Sequence, residues 1–231
     1  MRHYKYWIAL EQTKGIGPVH LRDIHRSLSS LKLSIRDLFE LSPDEIKAEL
    51  SLSASIAGAV GEAANTLSLI EDDYFAMIEA GVSVIMFFEE HYPSRLAAML
   101  KNEYPPILYT LGNREILSEK GAAVLGEMGI SPKGELIAYL AAKQLCDRGI
   151  SVISGFARGA DMIAHRSALE NGGRTVAVLP CGMGHLKIPD TIKESYDPDN
   201  MVILSPFYHN REFSPYLAMR RNRVVCALSL A

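Results

Sequence analysis

The 231 residues are 48% hydrophobic and 22% charged, an ordinary globular balance that is long enough for one large domain or two modest ones and unlike that of a disordered chain. A formal charge of −3 excludes a polybasic chain that coats nucleic acid nonspecifically, but it leaves room for a local basic site. The three cysteines, Cys146, Cys181 and Cys226, are far apart and form no CxxC pair, which speaks against a zinc ribbon or redox dithiol and for three reduced core thiols.

The first stretch, MRHYKYWIALEQ, has no long apolar signal region, and no run of about 18 apolar residues follows anywhere, so a soluble, cytoplasmic chain with no membrane segment is expected. From here to about residue 80 apolar residues recur three and four apart. WIAL, HLRDIHRSL, IRDLF, SPDEIKAEL and IAGAVGEAANTLSLIEDDYFAMIEAG all read as helices. Ser42-Pro43-Asp44-Glu45 is a helix start, with a capping serine and proline at the first helical position. Between the first two helices, Thr13-Lys14-Gly15-Ile16-Gly17-Pro18 has the form of a helix-hairpin-helix turn. The amides at Gly15 and Gly17 make it a candidate secondary contact for DNA phosphates. With 8 Lys/Arg against 12 Asp/Glu, this half is acidic, which weakens that reading in favour of a plain interhelical turn.

From Val82 the pattern changes. VSVIMFF, PPILYTLG, AAVLG, ISVISG, TVAVLP and MVILSP are short apolar runs, and most close on glycine or proline. The last four alternate with helical segments, as a parallel sheet covered on both faces requires. The expected fold is therefore α/β, a Rossmann-like doubly wound, mainly parallel sheet over 81–231, behind a small all-α (helix-hairpin-helix/SAM-like) domain over 1–80.

Ligands of such sheets collect at the carboxyl ends of the strands. Three glycine-rich turns fall there: 126–134, 154–159 and 180–184. Glycines let a backbone approach a ligand and free its amides for an anion, and Arg158 in the middle turn supplies a forked cation suited to phosphate. Later, Arg211 and Arg220-Arg221-Asn222-Arg223 place four arginines within thirteen residues. Because the latter group abuts VVCALSLA, it is expected in the first turns of a helix, where cations are disfavoured unless an anion is present.

Signatures of catalysis are thin. There is no GxSxG elbow, HExxH, Walker A or GxGxxG run, and Asp161 and His165, four apart, read as a local helix pair rather than a dyad. No cofactor and no catalytic residue are expected.

In order, the segments KGIGPVHL, YPSRLAAMLKNEYPPILYTLGN, ISVISGFARGADMIAHRSALENGGRTVAVLPCG and RRNRVVCALS resemble the DNA-processing protein A (DprA/Smf) family, which mediates natural transformation. The resemblance spans essentially the whole chain. It implies a non-enzymatic protein that binds single-stranded DNA in a basic pocket, protects it, forms a homodimer and loads the RecA recombinase. Carried over residue by residue, the pocket would use Ser154, Gly155, Arg158 and Gly159 with Arg221, Asn222 and Arg223. Lys133 joins by position, and Phe156 is the candidate stacking surface for bases. Three departures stand out: Gly126-Glu127-Met128 where the family has Gly-Ser-Arg, Ser205-Pro206 where it has Ser-Glu, and an end at Ala231 where it continues into further strands and often a winged-helix-like domain. The sheet is accordingly expected to be truncated at its C-terminal end. Two other readings compete with this one. One is a nucleotide-binding or nucleotide-hydrolysing Rossmann-like enzyme of the phosphoribohydrolase-related group, although its PGGxGTxxE run is absent. The other is a purely structural partner of recombination proteins.

Overall fold

The computed structural model describes residues 3–230. They fall into two compact units, one formed by residues up to 80 with 102–106 and the other by 81–101 with those from 107 onward.

The first unit is helical: α1 (Tyr4–Gln12), α2 (Pro18–Leu31), α3 (Ile35–Glu40), α4 (Pro43–Leu50), α5 (Ala54–Ala64) and α6 (Leu67–Glu79). Its starts are set by short polar caps. Ser34 and Ser42 each accept from the amide three residues on, and the carboxylates of Asp37 and Glu45 accept in return from the Ser34 and Ser42 amides at 2.7 Å. The long apolar pattern that begins at Ile56 is broken into two helices at Asn65 and Thr66. Ile8, Leu10, Leu21, Ile24, Leu38, Ile46 and Met77 form the buried interior.

The second unit holds a six-stranded sheet: β1 (Ser83–Met86), β2 (Ile107–Gly112), β3 (Gly121–Ala123), β4 (Ser151–Gly155), β5 (Thr175–Val178) and β6 (Met201–Ser205). Every apolar run singled out in the sequence supplies one strand. The spatial order is β1-β2-β6-β5-β4-β3. The four strands from β3 to β6 are parallel, whereas β2 runs antiparallel to both β1 and β6. Five further helices complete the unit: α7 (Ser94–Leu100), α8 (Pro132–Cys146), α9 (Ala160–Glu170), α10 (Asp190–Lys193) and α11 (Pro215–Leu228).

Ala142 of α8 and Ala164 and Ala168 of α9 pack against Val152, so these helices cover one face of β4. On a strand the side chains alternate faces. Ile153 and Gly155 therefore point to the side of α11, whose Arg221 reaches Gly155. At the edge strand, Leu230 donates its amide to the Gly121 carbonyl at 2.8 Å.

Two expectations are corrected here. Arg220, Arg221, Asn222 and Arg223 lie in the middle of α11, not in its first turns, because Ser214 caps the helix and Pro215 begins it. The argument from helix-terminal repulsion therefore does not apply to them. The cysteines are free, but only Cys181 is buried; Cys146 is half-buried and Cys226 is exposed. Among the described residues no helix is long and apolar enough to cross a membrane, and no group of His, Cys, Asp and Glu could hold a metal ion.

Candidate functional site

The central turn joins β4 to α9 and is built on a buried polar cluster. Arg221 enters from α11 with 5% of its surface exposed. Its Nη1 donates to the Val178 carbonyl at 2.9 Å and stands 3.9 Å from Asp161 Oδ2. A β-carbon on Gly155 would collide with this guanidinium and with the Asp161 carboxylate. Burial pushes the Asp161 carboxyl up, while the Arg221 guanidinium and the amides of Ala157 and Gly126 favour its charged form. Below the same turn lies His165. Its Nε2 donates to the Gly155 carbonyl at 2.6 Å, and its Nδ1 meets the Thr175 hydroxyl at 2.7 Å. Complete burial lowers its pKa to about 4, so the ring is neutral; the Thr175 hydroxyl beside Nδ1 donates to the Val152 carbonyl at 2.9 Å. Asp161 and His165 thus serve two separate tasks, each with its own partners.

The glycines of the turns make room for neighbouring parts of the chain. Gly159 is at φ +83°, and a side chain there would strike the Met128 carbonyl oxygen at 2.7 Å. The Ala160 amide donates to the Glu127 carbonyl at 3.4 Å, and Gly126 abuts Ala160, so the first and second turns are stacked on one another. The third turn is tied to the loop after β6. Gly182 and Gly184 donate their amides to the carbonyls of Arg211 at 2.7 Å and His209 at 3.0 Å. The expectation that all three turns free their amides for an anion is corrected on this point, since in the third turn both glycine amides already have acceptors.

Several side chains on these turns and on α11 are exposed. Arg158 is exposed at the tip of the central turn and makes no ion pair among the described residues. Lys133 is exposed in the first turn of α8, and Met128, 74% exposed, projects from the turn before it. Asn222 and Arg223 are exposed on α11. Of the other residues named from the sequence, Ser154 is wholly buried and its hydroxyl donates to the Val124 carbonyl. Phe156 is half-buried, its ring 6.1 Å from that of His165, and so faces the cluster more than the solvent. Arg221, named for the pocket, is enclosed and held by the Val178 carbonyl and Asp161. Gly15 and Gly17 belong to the helical unit. There Gly15 is at φ +90°, and the Gly17 amide is taken up by His20 Nδ1 at 3.2 Å.

Sequence reasoning passed over Phe207 and Tyr216, whose ring centroids lie 6.0 and 5.9 Å from the Arg220 guanidinium carbon. The signal available was the i, i+4 spacing of Tyr216 and Arg220 ahead of the arginine cluster.

A family model described as DNA recombination-mediator protein A matches residues 83–231, and the chain belongs to that family. Protein Smf of Escherichia coli (strain K12) is 32% identical over 142 residues, which cover 61% of this chain and 37% of that one. DNA processing protein DprA of Bacillus subtilis (strain 168) is 23% identical over 65% of this chain and 51% of its own length. The chain thus spans about half, or less, of the length of these relatives. Among solved structures, DNA processing protein A from Streptococcus pneumoniae shares the fold with a TM-score of 0.72 at 20% identity, covering 97% of this chain and 75% of that one. DNA processing protein A from Helicobacter pylori, described for its single-stranded DNA binding mode, matches with a TM-score of 0.54 at 25% identity over 64% of this chain and 66% of that one.

Proposed function

We propose that this member of the DNA recombination-mediator protein A family binds single-stranded DNA at the carboxyl end of its sheet and acts as a holder of the strand. The observation that carries the reading is Arg158: an exposed arginine without an ion pair among the described residues, presented by a turn that the Asp161–Arg221 pair and the stacked glycines fix from beneath. A rigid mount lowers the entropic cost of ordering a cation on a phosphate. Lys133 at the start of α8 and Asn222 and Arg223 on α11 are exposed and would add further contacts, and Ser154, Gly155 and Gly159 shape the turn. The hairpin at Gly15 and Gly17, of whose two amides that of Gly17 already has an acceptor in His20, is a second, weaker contact. Protection of incoming DNA, delivery to RecA and work as a homodimer in the cytoplasm are the finer parts of the same proposal, supported by the family.

Fluorescence anisotropy with oligo-dT at several salt concentrations tests it. Phosphate contacts on a single strand release counterions, so log affinity should fall with log salt by a slope of about −0.7 per contact. Binding that is absent, or indifferent to salt, overturns the reading.

A further inference from the structure

The outward face of α11 carries a feature that the Arg158 turn does not explain. Tyr216 and Met219, three apart, are 65% and 72% exposed, and Phe213, just ahead of the helix, is 61% exposed. Arg220 reaches toward the rings of both Tyr216 and Phe207. Single exposed apolar side chains are ordinary, but Tyr216 and Met219 close to Arg220 along one helix, with Phe213 three residues ahead of Tyr216, are of the kind that marks a binding surface.

Charge points to the occupant. Residues 207–228 hold three exposed arginines, Arg211, Arg220 and Arg223, against a single carboxylate, Glu212, the fourth arginine being the enclosed Arg221. An apolar protein partner would be served by the rings alone, whereas alternating aromatic rings and arginines suit a polyanion whose bases can stack. Position points the same way. Arg221, next in the chain to Arg220, passes under Gly155 of the Arg158 turn, and the Arg211 carbonyl accepts from Gly182 at the end of β5. The start of α11 therefore stands at the same strand ends as Arg158.

We propose that Phe213, Tyr216 and Met219, with Arg220 held between aromatic rings, form a base-stacking platform for single-stranded nucleic acid that continues the phosphate site at Arg158. The proposal rests on the single-strand reading above and adds how the bases, rather than the phosphates, are met.

The test compares oligo-dT with an abasic oligonucleotide of equal length, which keeps the phosphates and lacks the bases. The full chain should prefer oligo-dT by about tenfold or more, the range of one or two stacked bases. A Phe213→Leu/Tyr216→Leu variant keeps apolar bulk and removes the rings. It should lose most of that preference with its salt slope and its affinity for the abasic strand unchanged, and Phe213→Ala/Tyr216→Ala should do the same. Arg158→Ala should instead weaken both oligonucleotides alike. Salt-dependent binding of the full chain with no preference for bases, or a preference that survives in both aromatic variants, overturns the platform and leaves the single-strand reading standing. A change of sedimentation in the alanine variant without a change in oligo-dT affinity also overturns it, assigning the face to a second copy of the chain. If the full chain binds neither oligonucleotide, both readings fall.

Discussion

The guanidinium of Arg221 occupies the space that a side chain at Gly155 would need, with the Asp161 carboxylate on the same spot. Glycine is required here by an internal neighbour and not by a ligand. Arg221 is pinned to the Val178 carbonyl at 2.9 Å, so it cannot swing aside freely. Gly155→Ala should therefore destabilise the fold by about 1–3 kcal/mol, as overpacking of a filled interior does. Arg221→Leu should cost more, about 3–5 kcal/mol, because it strands the Asp161 carboxylate without its counter-charge. Adding Asp161→Asn should recover part of that loss. Chemical denaturation of the two single variants and the double variant checks this, and strict additivity would show that the pair is not coupled.

That relationship also marks where sequence reading stops. The six strands were legible because each lies in a short apolar run, most of them β-branched and closed by glycine or proline. Arg221 was not, since its partner Asp161 is 60 positions away and no spacing rule joins them. The sequence pattern of a glycine-rich turn is the same whether the glycine admits a phosphate, a guanidinium or another turn. Gly155 and Gly159 belong to the latter two cases. The arginine group of α11 was set too near the helix start because VVCALSLA was read as the helix body, while the Ser214-Pro215 start signal lay further upstream. Pairing of β2 with β6, antiparallel and 90 to 96 positions apart, is likewise a long-range choice that local periodicity does not carry.

Arg158→Ala removes an exposed charge that packs against nothing in the interior. Single-strand affinity should drop by about 1.5–3 kcal/mol, the range of a charge-assisted hydrogen bond. The melting temperature should stay where it is. Anisotropy and a thermal melt on the same preparation separate the two effects; an unchanged affinity with a normal melt takes Arg158 out of the site.

Glu127→Ser with Met128→Arg raises the local charge by two units on side chains that are both exposed. The backbone of these residues is stacked on Gly159 and Ala160, so the turn should keep its path while its electrostatics change. Tighter binding of oligo-dT is expected, with a salt slope steeper by about 0.7, one added phosphate contact. Tighter binding at an unchanged slope would mean that the backbone had rearranged instead.

His165 makes stability depend on pH. Its folded pKa is lowered to about 4 by burial, against 6.5 for the free side chain. Between those values the unfolded chain binds a proton that the folded chain does not. The contribution of the neutral ring is thus full above pH 6.5, declines as pH falls, and is exhausted near pH 4, for a total of about 3 kcal/mol. Asp161, whose carboxyl is raised, runs in the opposite direction and would blur a single pH curve. Comparison with His165→Gln cancels it, because Asp161 is present in both proteins. The stability gap between the original chain and this variant should be widest at pH 7.5 and narrow steadily by pH 4.5, as read from urea midpoints at each pH. A gap of constant size would mean that folded and unfolded chains hold the His165 proton alike, and a gap that widens as pH falls would mean that His165 already carries its second proton in the fold, donating to Gly155 and Thr175 together.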